Sequence, residues 1–279
     1  MSEAEVRYGD CRAILPTLGR KFQLLVTSPP YNTGQEYETK MSEQQYYEFM
    51  LSCYKAIYEV MDDNSRLCVN VPFNMTNPEG GISNVYMVNC NAMNACGFKY
   101  RETIIWDQLN AENDTAWGSW KSASAPWLRH KTEAIVVYYK GDWKREKGVN
   151  DITRDEFLAY VVDIWRMKVA RREGHPCPYP VELAMRCIKL FSFVGDWVLD
   201  PFLGSGSTLR ACRESGRNGV GIELHEKYRP EIEHKALIGV GDITEFKNKY
   251  PIECPKCGKE LNAMKDTRCE CGKLVDDID

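Results

Sequence analysis

The residues best suited to chemistry stand in one short segment, Thr27-Ser28-Pro29-Pro30-Tyr31-Asn32, directly after an apolar run. Two prolines restrict the backbone, so the carbonyl of Pro29 has a set direction. The Ser28 hydroxyl lies beside that carbonyl, and Tyr31 adds an aromatic face. Two acceptors next to a stacking surface would hold the exocyclic amine of a planar base and favour a nucleophilic, pyramidal nitrogen. A Pro-Pro turn with a packed tyrosine explains the segment equally well.

A second segment, Asp200-Pro-Phe202-Leu-Gly204-Ser-Gly206-Ser-Thr, is rich in glycine and stands between a predicted strand and a predicted helix. Glycines at such a turn allow a ligand to approach the backbone closely. Glu223 ends the next strand, 17 residues after Gly206, and an acid near that spacing typically binds the hydroxyls of a ribose. Leu209 replaces the third glycine of the dinucleotide fingerprint, and no Lys-Ser/Thr pair completes a phosphate loop. The pattern therefore favours a nucleoside-bearing cofactor without a pyrophosphate.

Four of the chain's 12 cysteines are crowded near the C-terminus, at Cys254, Cys257, Cys269 and Cys271. Two pairs of thiolates at this spacing suit tetrahedral, structural zinc, although the second pair has one intervening residue instead of two. A disulfide or a tail of free thiols is the alternative. So small a segment would hardly fold without metal, and its role could be a dimer contact or a cap on the main domain.

Several elements must position these residues. Patterns predict a strand, a short helix and a second strand over 5–32, a helix over 42–62, and a strand over 66–71. A helix near 84–96 and strands near 101–106 and 133–139 follow. The last predicted unit is a helix over 181–193, a strand over 197–199, a helix over 207–216 and a strand over 220–222. This order predicts an α/β fold with a doubly wound, mostly parallel sheet.

Residues 107–175 have a different composition, with five of the chain's seven tryptophans and two basic stretches without acids. The basic residues are Lys121, Arg129 and Lys131 in the first stretch, and Arg166, Lys168, Arg171 and Arg172 in the second. Basic residues among aromatics are typical of nucleic-acid contact, but a solvated charged face is the commoner explanation of such runs. We predict a main domain over 1–245 that contains this region, and a separate tail over 250–279.

Composition and charge exclude several classes of protein. The chain has 279 residues, 43% apolar and 27% charged, which is typical of a soluble globular protein. No apolar run reaches the length of a membrane span, and no signal sequence opens the chain; we therefore expect a cytoplasmic protein. A net charge of −4 excludes a protein that coats nucleic acid by bulk charge.

Together, Thr27–Tyr31 and Asp200–Gly206 resemble the catalytic and cofactor motifs of DNA methyltransferases that methylate exocyclic amines with S-adenosylmethionine. The order of the two motifs is similar to the family's β class, which implies a circularly permuted methyltransferase fold. The segment from His175 to Leu183 and the pair Gly9-Asp10 also resemble family segments on the cofactor side. The resemblance covers patches of residues 5–240.

The resemblance implies roles for particular residues. Ser28, Pro29 and Tyr31 would hold the target amine, and Pro30 would shape their loop. The cofactor would lie against Asp10, Asp200, Phe202, Gly204, Gly206 and Glu223. Residues 107–175 would recognise double-stranded DNA, and serine as the first tetrapeptide residue favours cytosine-N4 over adenine-N6. The base would be flipped out of the duplex and methylated directly. Members often dimerise, and many act beside a separate restriction endonuclease in prokaryotic or viral cells.

Three other interpretations are weaker. Pro176-Cys177 resembles the motif of carbon-5 cytosine methylases, but those enzymes place the cofactor motif before the catalytic one. Glutamine methylases of proteins use a similar tetrapeptide, but again with the reverse motif order and with an amide where Ser28 stands. A non-catalytic DNA-binding or zinc-mediated interaction protein would need no intact tetrapeptide and no intact glycine loop.

Overall fold

The computed structural model describes residues 2–32, 41–76, 81–109, 119, 121–126, 128, 130–146, 148–170, 179–237, 252–253 and 260–261. The chain divides into two compact units, Met1–Ile238 and Gly239–Asp279. The described residues of the second unit form an antiparallel pair of two-residue strands. Among the described residues, no helix combines the length and the apolar character needed to cross a membrane.

The elements alternate between strands and helices for most of the first unit. In chain order they are β1 (Ala4–Tyr8), α1 (Cys11–Ile14), β2 (Phe22–Thr27), α2 (Glu43–Val60), β3 (Met61–Pro72), β4 (Met75–Thr76), β5 (Ile82–Ser83), α3 (Val85–Ala95), β6 (Lys99–Gln108), β7 (Thr132–Tyr139), α4 (Arg154–Tyr160), β8 (Ile164–Met167), α5 (Val181–Phe191), β9 (Trp197–Asp200), α6 (Ser207–Glu214), β10 (Asn218–Glu223) and α7 (Arg229–Ile232). Short 3-10 helices occupy Leu15–Thr17 and Glu226–Tyr228, and a π-helix occupies Glu233–Leu237. The two strands of the second unit are β11 (Ile252–Glu253) and β12 (Glu260–Leu261).

Eight strands form the main sheet, in the order β1-β10-β9-β2-β3-β7-β6-β8. The pairs among β1, β10, β9, β2 and β3 are parallel, and so is the pair of β6 with β8. The strand β7 runs antiparallel to both of its neighbours, β3 and β6. The prediction of a mostly parallel sheet is confirmed, and the reversed β7 is the feature that the sequence patterns did not indicate.

Apolar side chains on the two faces of the sheet form two cores. Leu25 and Val69 pack with α2 and α3 on one face, whereas Leu24 and Cys68 pack with α5 and α6 on the other. Adjacent residues of β2 thus point to opposite faces, as the period of a strand requires. Burial on both faces explains why β2 reads as a continuous apolar run.

The local signals for helices match the structure closely. Ser42 caps α2, its hydroxyl accepting from the backbone of Gln45 while the Gln45 side chain accepts from the backbone of Ser42. This reciprocal pair is a capping box, which is a common start of an α-helix. The strand β3 is longer than the predicted 66–71, because it begins directly where α2 ends.

Residues 107–175 contain regular elements beyond the predicted strand over 133–139. They contain β7, α4 and β8, and β8 pairs with β6 at the edge of the main sheet. Trp165 on β8 is fully buried. The region therefore contributes strands to the sheet as well as connecting chain.

Candidate functional site

A cavity of about 380 Å³ lies where four adjacent parallel strands of the main sheet end. Its walls come from the segments that follow β1, β2, β9 and β10, including Asp10, Tyr31, Phe202 and His225. In open α/β sheets, ligands bind in the crevice beyond the carboxyl ends of the strands. The cavity therefore occupies the place where this fold is expected to bind a ligand.

The proline-rich segment forms one wall of this cavity, which Ser28, Pro29, Pro30, Tyr31 and Asn32 all line. The carbonyl oxygen of Pro30 accepts a hydrogen bond from Tyr46 Oη at 2.8 Å. The carbonyl of Pro29 accepts none from the described residues. It is therefore available to an incoming donor.

The proline-rich segment ends at Asn32, which has a left-handed backbone conformation. Asn32 has φ +57° and is 3% exposed. Its side-chain amide donates to the carbonyl of Met41 at 2.8 Å and accepts from the Met41 backbone at 3.2 Å. Asparagine tolerates this backbone conformation better than most residues, so Asn32 stabilises the turn that ends the segment.

Asp200 links the two predicted motifs through hydrogen bonds to its carboxylate. Its carboxylate accepts hydrogen bonds from Thr27 Oγ1 at 2.6 Å, from Tyr179 Oη at 3.1 Å, from Thr208 Oγ1, and from the Phe202 backbone. Burial raises the pKa of Asp200, and these donors partly offset that rise. The side chain is fully buried and does not line the cavity, so within this structure it positions the loops instead of contacting the space between them.

Glu223 lines the cavity at the end of β10. One carboxylate oxygen accepts from the backbone of Gly204 at 2.9 Å, and the other from the backbone of His225 at 2.9 Å. Burial raises the pKa of Glu223, and the two backbone donors lower it. The side chain is thus fixed, and each oxygen keeps a lone pair for a further donor such as a ligand hydroxyl.

The other predicted cofactor residues are placed differently from one another. Phe202 and Gly204 line the cavity, as does Asp10. Asp10 caps α1 and forms an ion pair with Arg12, and the side-chain hydrogen bond from Arg12 lowers the pKa of Asp10. Gly206 does not line the cavity; it starts α6 with φ +89°, a conformation that favours glycine.

A polar cluster that the sequence analysis did not single out adjoins Ser28 and Tyr31. Ser28 Oγ lies 2.5 Å from Tyr31 Oη, which donates to Glu133 Oε2 at 3.2 Å. Asn70 Nδ2 donates to the same oxygen at 2.5 Å, and Gln108 Nε2 donates to Glu133 Oε1 at 3.0 Å. An acid at the start of an otherwise apolar strand was the available signal for Glu133.

The predicted DNA-binding residues lie partly on the surface of the described chain. Lys121, Lys131, Arg166 and Lys168 are exposed. Arg166 lies 3.4 Å from Asp107 in a solvent-exposed ion pair. Arg129, Arg171 and Arg172 lie outside the described residues.

All four cysteines of the predicted zinc site, Cys254, Cys257, Cys269 and Cys271, lie outside the described residues. Within the part of the chain that the structure describes, no group of three or more His, Cys, Asp or Glu side chains is arranged to hold a metal ion. The structure therefore leaves zinc as a prediction from the sequence.

Comparison of the sequence with known families and proteins gives consistent matches. The profile of the family N6_N4_Mtase, described as DNA methylase, matches residues 22–234. The type II methyltransferase M.MjaVI of Methanocaldococcus jannaschii is 39% identical over 146 residues, which are 51% of this chain and 74% of that protein. M.MjaI of the same organism is 24% identical over 294 residues, covering 88% of this chain and 96% of that protein.

Two solved structures are similar in fold. The cytosine-N4-specific PvuII DNA methyltransferase superposes with a TM-score of 0.68 at 18% identity, covering 88% of this chain and 89% of that one. TTHA0409 of Thermus thermophilus, in complex with S-adenosyl-L-methionine, superposes with a TM-score of 0.66 at 24% identity, covering 83% and 92%. At these identities the likeness establishes a shared fold.

Proposed function

Because this chain belongs to the N6/N4 family of DNA methylases, we propose that it methylates the N4 amine of cytosine within a short sequence of duplex DNA, with S-adenosylmethionine as the methyl donor. One observation carries the proposal. Ser28 and Pro29 line the same cavity as Glu223 and the glycine loop. A base-binding wall and a nucleoside-binding wall thus share one space.

The walls of the cavity fit an adenosine-bearing cofactor. Glu223 is fixed by two backbone donors and retains acceptor capacity for ribose hydroxyls. The backbone of Gly204 has φ +54°, which allows the loop to turn close to a ligand. Pro29, Phe202 and Leu224 add apolar surface. When bound, S-adenosylmethionine supplies an electrophilic methyl group on its sulfonium.

The residues of the chain would act mainly by positioning the target. A paired base cannot present its amine to a buried site, so the base must be flipped out of the duplex. Tyr31 would stack on the flipped base, while Ser28 Oγ and the Pro29 carbonyl accept hydrogen bonds from the amine. Holding the nitrogen in line with the methyl group lowers the entropic part of the barrier.

Cytosine is preferred over adenine because of the residue type at position 28. Ser28 stands where, by the family resemblance, adenine-N6 enzymes more often have an acid or an amide. The PvuII enzyme, which shares the fold, is described as cytosine-N4-specific. Adenine-N6 methylation is the alternative, with the same site and the same mechanism.

The partners and the tail complete the proposal. Exposed Lys121, Lys131, Arg166 and Lys168 would contact DNA phosphates, with Arg129, Arg171 and Arg172 from the same two stretches. The cysteine pairs of the tail would bind one structural zinc ion. A homodimer and a separate cognate endonuclease follow from the family resemblance alone.

A labelling experiment tests the reaction and the base together. The purified chain is incubated with methyl-labelled S-adenosylmethionine and unmethylated genomic DNA, and the DNA is digested to nucleosides for mass spectrometry. We expect labelled N4-methyldeoxycytidine. Labelled N6-methyldeoxyadenosine would support the site and contradict the choice of cytosine, whereas cofactor binding without any labelled deoxynucleoside would contradict DNA as the substrate.

A further inference from the structure

Methylation of an exocyclic amine leaves the nitrogen with one proton too many. The bond from sulfur to the methyl carbon breaks, the bond from nitrogen to that carbon forms, and the positive charge moves from sulfur to nitrogen. The product becomes neutral once an N–H bond breaks. The enzyme therefore benefits from a base that can be reached from the amine.

The carboxylates that line the cavity are poorly suited to this step. Asp10 is paired with Arg12, whose hydrogen bond lowers the pKa of Asp10. Glu223 is held by backbone N–H groups of the cofactor-side loops, and its remaining lone pairs are the ones that would bind the ribose hydroxyls. Neither group has a hydrogen bond to Ser28 or to Tyr31 in the described structure.

Glu133 has the connection that these groups lack. Ser28 Oγ lies 2.5 Å from Tyr31 Oη, and Tyr31 Oη lies 3.2 Å from Glu133 Oε2. These two hydrogen bonds join the hydroxyl that would face the amine to a carboxylate behind it. Asn70, which is 2% exposed, donates to the same carboxylate oxygen at 2.5 Å and fixes its position.

We propose that Glu133 accepts the proton of the target amine through Ser28 and Tyr31. The amine proton passes to Ser28 Oγ, the Ser28 proton to Tyr31 Oη, and the Tyr31 proton to Glu133 Oε2. One N–H bond breaks, one O–H bond forms on Glu133, and both hydroxyls end as they began. This step rests on the proposed function; Glu133 touches no substrate and acts as a positioning residue that also stores the proton.

The surroundings of Glu133 suit a proton acceptor. Tyr31 faces it from the loop after β2, Asn70 from β3 and Gln108 from β6, and of these three groups Tyr31 alone titrates. Burial raises the pKa of Glu133, and the hydrogen bonds from Asn70, Gln108 and Tyr31 partly offset the rise. A raised pKa makes the ionised carboxylate a stronger base.

The pH dependence of single-turnover methylation tests the proposal. With saturating cofactor, the wild-type rate should fall on the acid side, as Glu133 becomes protonated above the ordinary pKa of glutamate. Glu133→Gln should lower the neutral-pH rate about 10²-fold and abolish this acid limb. The control is Glu102→Gln, a change of an exposed glutamate on β6, which should keep the wild-type profile.

A second variant and a second readout guard against misfolding. Tyr31→Phe keeps the aromatic ring but interrupts the relay, so it should also lose the acid limb while binding the cofactor normally. Infrared difference spectra of the wild type should show a protonated carboxyl band whose pH dependence matches that of the methylation rate. This band should be missing in Glu133→Gln. An unchanged acid limb in either variant, with wild-type methylation intact, would overturn the relay alone. Absence of methylation by the wild type would overturn the proposed function as well.

Discussion

At the scale of single residues, the site depends on carboxylates whose oxygens already accept hydrogen bonds from the protein. Glu223 accepts one backbone N–H on each carboxylate oxygen, so its orientation is set before a ligand arrives. Asp200 accepts from four donors and is fully buried, so it links β2, β9 and α6. Their hydrogen-bond donors thus distinguish Glu223, which faces the cavity, from Asp200, which links the loops. The sequence does not reveal these donors.

Replacing Glu223 tests its role toward the cofactor. Glu223→Gln puts an amide NH₂ against one of two backbone N–H groups and removes the charge from the remaining hydrogen bonds. Losing a charged hydrogen bond costs about 1.5–3 kcal/mol, which corresponds to about 10- to 150-fold in Kd. Calorimetry with S-adenosylmethionine measures the change.

The matched control for this change is Glu226→Gln. The Glu226 side chain is 64% exposed and pairs with Arg229 at the surface. It should leave the affinity for S-adenosylmethionine unchanged. Equal affinities of Glu223→Gln and the wild type for S-adenosylmethionine would contradict a role for Glu223 in binding the cofactor.

At the scale of elements, one strand direction explains why the polar cluster exists. The strands β2, β3 and β6 run the same way, so their last residues lie at one edge of the sheet. The strand β7 runs the opposite way, so its first residues reach that same edge. Glu133 near the start of β7 therefore meets Gln108 at the end of β6 and Tyr31 just after β2.

The start of α6 provides a test of the glycine loop. Gly206 has φ +89°, and an added Cβ would lie 3.2 Å from the Cβ of Ala236. Gly195 has φ +85° with nothing within 4 Å. Gly195→Ala should cost about 1–2 kcal/mol of unfolding free energy from backbone strain. Gly206→Ala should cost about 1 kcal/mol more, because its neighbours must move.

Urea unfolding of the two alanine variants measures the cost of the contact, since both positions have a similar positive φ. Gly206→Ala should also weaken cofactor binding, because the helix start and the Gly204 turn belong to one loop. Equal stability of the two variants would show that the packing of Ala236 and Ile232 near Gly206 is loose.

The elements themselves were largely predictable, and their pairing was less so. Apolar periodicity is a local signal, and the helices and strands that it predicted are confirmed. The direction of β7 appears in its antiparallel pairing with β3 and β6, and no periodic pattern in the sequence specifies such long-range pairing. The meeting of Glu133 with Tyr31, 102 residues apart, follows from that direction and therefore could not be read from the sequence.

At the scale of the whole molecule, buried acids make stability depend on pH. Burial raises the pKa of Glu133, Asp200 and Glu223. An acid whose pKa is raised in the folded state stays protonated there while the unfolded chain has already ionised. Each such group therefore lowers the free energy of unfolding as pH rises from its ordinary pKa to its folded pKa. Above the folded pKa the loss is complete.

Asp200→Asn removes one of these contributions. The variant should be less stable than the wild type at low pH, because an amide cannot accept all the hydrogen bonds that converge on Asp200. Its stability should then fall less steeply than that of the wild type as pH rises above the ordinary aspartate value of 3.8. The slopes differ by at most about 1.4 kcal/mol per pH unit. Urea unfolding across this range measures both slopes, and identical slopes would mean that Asp200 is ionised throughout.

The most direct test of the proposed function is a map of all modified bases in a genome. The wild-type chain and Ser28→Ala are expressed in a host that lacks DNA methylation, and single-molecule sequencing maps modified bases. We expect N4-methylcytosine at one short recurring sequence for the wild type and a near-complete loss for Ser28→Ala. A genome without modified bases, or an equal level of modification in both strains, would contradict it.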